Sequence, residues 1–87
     1  MSIDARARLD REELRTLLAE TIDTDASEVG DDTDFVEELG VDSLMALEVV
    51  VVLERAYGVK FGEQEMRSVR TLRSAYDEVL RKLDERS

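Results

Sequence analysis

Apolar positions along this chain gather into three runs with helical spacing. In the first, Leu14, Leu17, Leu18 and Ile22 recur on one face. Asp10 stands where an N-cap belongs, Glu13 completes a capping-box pattern, and Leu9 and Leu14 sit where a hydrophobic staple closes. These signals predict a helix from about Arg11 to about Ile22. In the second run, Asp42 supplies an N-cap and Gly58 a C-terminal stop around Ser43–Tyr57. Its four consecutive valines favour a strand by propensity. The flanking LMALE and LERA are strong helix formers, and fifteen residues exceed an ordinary strand, so helix prevails. In the third run Leu72, Ala75, Tyr76, Val79, Leu80 and Leu83 share one stripe, predicting a helix from Thr71 or Leu72 to about Leu83.

The intervening stretches are short on periodicity. From Asp23 to Asp42 the chain is acidic and aperiodic, with Val29, Phe35, Val36, Leu39 and Val41 as the residues expected to pin it to the core. DFVEELG can form one helical turn that stops at Gly40. VKF reads as a short extended linker, and GEQEMRSV as a brief helix or turn. The fold class expected is all-α: a small four-helix bundle, three main helices plus a short one, with a long first loop. The whole chain, 1–87, is read as a single domain with an ordered core of about 10–83.

Composition narrows the function classes. A net charge of −10 on 87 residues argues against nucleic acid, which requires a basic face, and suits a partner with basic patches. The absence of Cys excludes disulfides and cysteine nucleophiles, and the absence of His removes the commonest general base. No uncharged apolar segment is long enough to span a membrane, and MSIDARARLDRE lacks the apolar centre of a signal peptide. A cytoplasmic monomer is the expectation.

The valine-rich helix carries two apolar faces. Ala46, Val49, Val50, Leu53 and Tyr57 cluster on one side, with Val52 and Ala56 at its edge. Opposite lie Leu44, Leu47, Glu48, Val51, Glu54 and Arg55, with Met45 between the faces. Unpaired charges are costly to bury, so this second face should meet solvent and offer an apolar strip for docking. The alternative is that the preceding loop folds over it.

Two further features invite chemistry. Asp23, Asp25 and Ser27 have the spacing of a calcium loop, but Glu28 and Asp34 fill the places that need Gly and Glu. A solvated acidic loop is therefore expected. Ser43 begins the second helix beside Asp42, where either residue could act as a cap. As a nucleophile Ser43 lacks a base, since there is no His and no nearby Lys. As a residue acted upon, it has free amide donors and the positive end of the helix dipole beside it.

The segment LGVDSLMALEVVVVLERAYGVKF, Leu39–Phe61, resembles the central segment of an acyl carrier protein, with Gly40, Val41, Asp42, Ser43 and Leu44 matching the family's Asp-Ser-Leu motif and its preceding loop. The likeness runs through TDFVEELG and VRTLRSAYDEVL, over roughly residues 10 to 80. It implies that Ser43 bears 4′-phosphopantetheine, installed by a separate phosphopantetheinyl transferase, whose thiol carries acyl groups as thioesters. It implies that Asp42 assists transferase recognition. Leu44, Leu47, Glu48, Val51 and Glu54 match the family's docking surface for basic patches on partners such as ketosynthases and acyltransferases. It also implies a cavity among the helices for part of an acyl chain, and a carrier rather than a catalyst. Met45, Arg55 and Gly62 depart from the common fatty-acid pattern, and DSLMALE resembles polyketide carriers more closely. The alternatives are an aminoacyl or peptidyl carrier, an unmodified helical adaptor using the Leu44–Leu47–Val51 strip, and, more distantly, a calcium-binding protein.

Overall fold

The computed structural model describes residues 9–86. Residues 1–8, part of the stretch read above for a signal peptide, lie outside the described residues. Helix α1 spans Arg11–Thr21 and is capped by Asp10, whose Oδ1 accepts from the Glu12 and Glu13 amides at 2.8 and 3.2 Å. Leu9 and Leu14, on either side of that cap, are both buried. The helix ends one residue before the sequence reading. Ile22 is its C-cap, and Asp23 adopts a left-handed conformation at φ 58. The Asp23 amide then donates to Glu20 O and the Thr24 amide to Ala19 O, a Schellman closure.

Helix α2 spans Ser43–Tyr57 and stops at Gly58, φ 66, where the Val59 amide donates to Glu54 O at 3.2 Å. Its valines settle the strand-or-helix question by burial. Val49, Val50 and Leu53 are buried while Val51 is exposed, a helical pattern that alternation along a strand would not give. Ala56, placed at the edge of the core face, is exposed.

Helix α3 is Glu63–Ser68 and helix α4 is Leu72–Arg86. The latter runs three residues past the predicted end at Leu83, and an Arg81–Glu85 pair at 3.0 Å supports that last turn. Leu72, Ala75, Val79 and Leu83 are buried against Leu14, Leu18, Val49 and Leu53 in one core. Among the described residues there is no strand, and no helix is long and apolar enough to cross a membrane.

The acidic connection is solvated along much of its length, as its composition suggests, and is also held to the core. It begins with a short 3₁₀ turn at Ala26–Glu28 and buries Val29, Phe35 and Val41. Its carboxylates are laced to arginines: Asp31 to Arg15 at 2.7 Å, Asp32 to Arg73 at 2.7 Å, and Asp34 to Arg70 at 3.0 Å. Arg15 also donates to Val29 O. Backbone bonds reinforce the lacing, with Phe35 N–H donating to Arg70 O and Arg73 N–H to Asp31 O. Val36 corrects the list of pinning residues, because it stays 46% exposed. Phe35 enters the core, and the tight turn that follows swings its neighbour outward.

α3 has no fully buried residue and is tethered chiefly by one side chain. Glu65 accepts from the Gly62 amide and from Lys82 Nζ, each at 2.7 Å, and from Arg81 at 2.6 Å. Those donors, Lys82 foremost, hold the Glu65 carboxyl at a pKa of about 2. Lys82 is buried with its ammonium over the Phe61 ring, 5.1 Å from the centroid.

Candidate functional site

The loop delivers Ser43 in three steps. The Asp34 carboxylate accepts from the Val36 and Glu37 amides, both at 2.9 Å, and the Glu38 side chain reaches back to the Asp34 amide at 2.8 Å. This is the single helical turn expected in DFVEELG. The Glu37 amide first, and then Arg70, hold the Asp34 carboxyl below its usual pKa. Gly40 next takes a left-handed conformation, φ 67, which a residue with a side chain adopts only at a cost. Val41 is then buried, with its amide donating to Phe35 O at 2.9 Å. The chain thereby enters α2 at a fixed angle.

At that entry Asp42, not Ser43, is the cap. Asp42 Oδ1 accepts from the Met45 amide at 2.9 Å. Ser43 is exposed at the first helical position, and its hydroxyl takes part in no hydrogen bond among the described residues. A general base must lie within hydrogen-bond reach of the proton it removes, and none does here. The arrangement leaves an accessible hydroxyl without the means to activate it.

The second face of α2 is open to water. Leu44 is 67% exposed, Leu47 49% and Val51 37%, with Glu48 exposed beside them. The preceding loop therefore does not fold over the strip. It adds to the exposed apolar residues instead, through Val36. Glu54 differs from its expected role as a rim charge. It is half-buried, and its carboxylate accepts from the Phe61 amide at 2.8 Å, tying the end of α2 to the following linker.

Beside Ser43, between α2 and α3, lies a groove of about 330 Å³ lined by Ser43, Ala46, Leu47, Val50, Glu63, Met66 and Arg67. Its floor is apolar and its lip polar, and its volume falls in the range of small-molecule sites. The hollow at the serine is an open groove, while Val49 and Leu53 on the inner face are packed tight in the core. Glu63, Met66 and Arg67 were missed as site residues by sequence reasoning, since only tertiary packing brings α3 alongside Ser43. The hollow at Asp23, Thr24, Asp25 and Glu28, about 460 Å³, has neither a comparable apolar floor nor a residue of the Asp-Ser-Leu motif. Asp31, Asp32 and Asp34 of the acidic loop are engaged by arginines, and among the described residues no cluster of His, Cys, Asp and Glu could hold a metal ion.

Residues 12–79 match the family described as the phosphopantetheine attachment site. The chain belongs to that family. Its members are carriers, not catalysts, and bear 4′-phosphopantetheine covalently. An exposed hydroxyl with an amphipathic groove beside it fits an arm that is a phosphate ester at one end and a flexible chain beyond. Across 75 residues, 86% of this chain and 86% of the relative, the carrier is 51% identical to the polyketide-8 synthase acyl carrier protein 2 of Streptomyces avermitilis. Its fold superposes on the solution structure of the oxytetracycline acyl carrier protein with a TM-score of 0.71 and 30% identity, covering 100% of this chain and 90% of that one. The four helices and the absence of strands among the described residues are the acyl-carrier fold.

Proposed function

We propose that Ser43 is the attachment residue and that the holo protein carries acyl thioesters in polyketide assembly. The Ser43 Oγ displaces at the pyrophosphate of coenzyme A, forming a serine–phosphate bond. The adenosine bisphosphate portion leaves, and the hydroxyl proton passes to a separate phosphopantetheinyl transferase. The observation that carries this reading is the exposed, uncommitted Ser43 hydroxyl beside a cap supplied entirely by Asp42. The names of the two similar proteins support the polyketide setting.

Leu44, Leu47 and Val51, rimmed by Asp42 and Glu48, serve as the docking strip for the transferase and for ketosynthase- and acyltransferase-type enzymes with basic patches. Glu48 steers encounter, whereas Glu54 acts mainly within the fold. The carrier works as a cytoplasmic monomer. Incubation with coenzyme A and a broad-specificity transferase should add one phosphopantetheine mass, and Ser43→Ala should abolish the gain. An unchanged mass on folded wild-type protein would overturn the assignment.

A further inference from the structure

Among the described residues, the groove beside Ser43 has one cationic lining residue. Arg67, from the last turn of α3, lines it together with Ser43, while Asp42 and Glu63 supply negative charge nearby. The other cations whose side chains are described are engaged or remote. Arg11 and Arg15 pair with Asp31, Arg70 with Asp34, Arg73 with Asp32, and Arg81 and Lys82 with Glu65. Arg55 and Lys60 lie at or beyond the far end of α2, about 18 Å along the helix from Ser43.

Arg67 is also readily redirected. Its partner Glu63 lies one turn earlier on the same helix at 3.2 Å, and the two side chains are 75% and 78% exposed. An ion pair so wet contributes little and is readily exchanged. A phosphodiester on Ser43 would bring an anion with several acceptor oxygens to the same groove. A guanidinium donates to such an anion through two N–H groups at once, which makes it a stronger partner than a solvated carboxylate.

We infer that Arg67 is a binding residue for the phosphodiester of the arm, giving up Glu63 to direct the arm along the α2–α3 groove. This rests on the Ser43 assignment proposed above. In the bare chain Glu63 holds the guanidinium at the lip. After loading, the same side chain links α3 to the arm, so that the start of the arm lies over Ala46, Val50 and Met66 instead of pointing into solvent.

The test compares apo and holo protein, each ¹⁵N-labelled, with intact mass as the measure of loading. The Arg67 Nε–Hε resonance should shift on loading while those of Arg70 and Arg73 stay in place. The shift should shrink in about 0.5 M salt. In holo Arg67→Gln the ³¹P resonance of the phosphodiester should move from its wild-type position. Holo Glu63→Gln, which keeps the arginine and removes its competitor, should move it the opposite way. Full mass gain with an unmoved Arg67 resonance, or the same ³¹P position in all three proteins, would overturn the contact alone. No mass gain would overturn the Ser43 assignment and the contact with it.

Discussion

Asp42 caps α2 by accepting the Met45 amide at 2.9 Å, and in doing so it relieves Ser43 of the duty its position would otherwise impose. Cap and proposed attachment residue are neighbours with separate tasks. Replacing the cap by alanine, Asp42→Ala, should cost about 1 kcal/mol, read as a lower urea midpoint. Asp42→Asn keeps the cap and removes the charge. It should hold stability within a few tenths of a kcal/mol while still slowing transferase loading. Equal loading rates for wild type and Asp42→Asn would remove Asp42 from recognition.

The two faces of α2 should separate cleanly by mutation. Leu53 is fully buried, so Leu53→Ala should destabilise the fold by about 2–5 kcal/mol. Leu47 is half exposed, so Leu47→Ala should change stability by no more than about 0.5 kcal/mol. Its effect should instead appear as weaker association with a partner enzyme, measured by titration calorimetry. A large loss of stability in Leu47→Ala would make it a packing residue.

Glu48 and Glu54, alike by helical position, should behave differently. Glu48→Lys should leave thermal stability near that of wild type and weaken partner association, with a flatter dependence on salt. Glu54→Ala removes the acceptor of the Phe61 amide and should lower the melting temperature on its own. Matching melting temperatures for the two variants would contradict the structural role of Glu54.

Acid should loosen α3. The Glu65 carboxyl ionises at about 2 in the folded protein, against an ordinary 4.5, chiefly because Lys82 donates to it. On lowering the pH, the unfolded chain takes up its proton first. The stabilisation is therefore complete above about pH 4.5 and is lost progressively as pH falls towards 2. Glu65→Gln should be less stable than wild type at neutral pH and should lose less on acidification. Parallel urea-midpoint profiles for the two proteins across this range would overturn the prediction.

Asp23 offers a stabilising change. It is the one described non-glycine residue at positive φ, where a β-carbon is crowded. Asp23→Gly at this helix terminus should raise stability by about 1 kcal/mol in urea denaturation.

What could be read in the sequence follows from the range of the forces involved. Ser43–Tyr57 was legible because both caps and the helical repeat are local, and its burial pattern of Val49, Val50 and Leu53 is the one that repeat demands. Leu44, Leu47 and Val51 were likewise readable as exposed, since charged neighbours share their face. The lacing of the acidic loop was not. Arg15 meets Asp31 across sixteen positions and Arg73 meets Asp32 across forty-one, and nothing local selects those partners. The burial of Lys82 was hidden for the same reason, because its partner Glu65 belongs to another helix. Arg67 and Met66 reach the Ser43 groove only after α3 is moored, so a chain-order reading could not unite them.

Leaving Leu44, Leu47 and Val51 in water would ordinarily invite two copies to stick together along the strip. Here the same approach would press Glu48 and Asp42 against their own twins, within molecules that each carry a net charge of −10. The acidity that first looked like a burden on so small a core therefore opposes self-association along the oily strip. In the docking role proposed above, a surface of opposite sign would meet attraction instead.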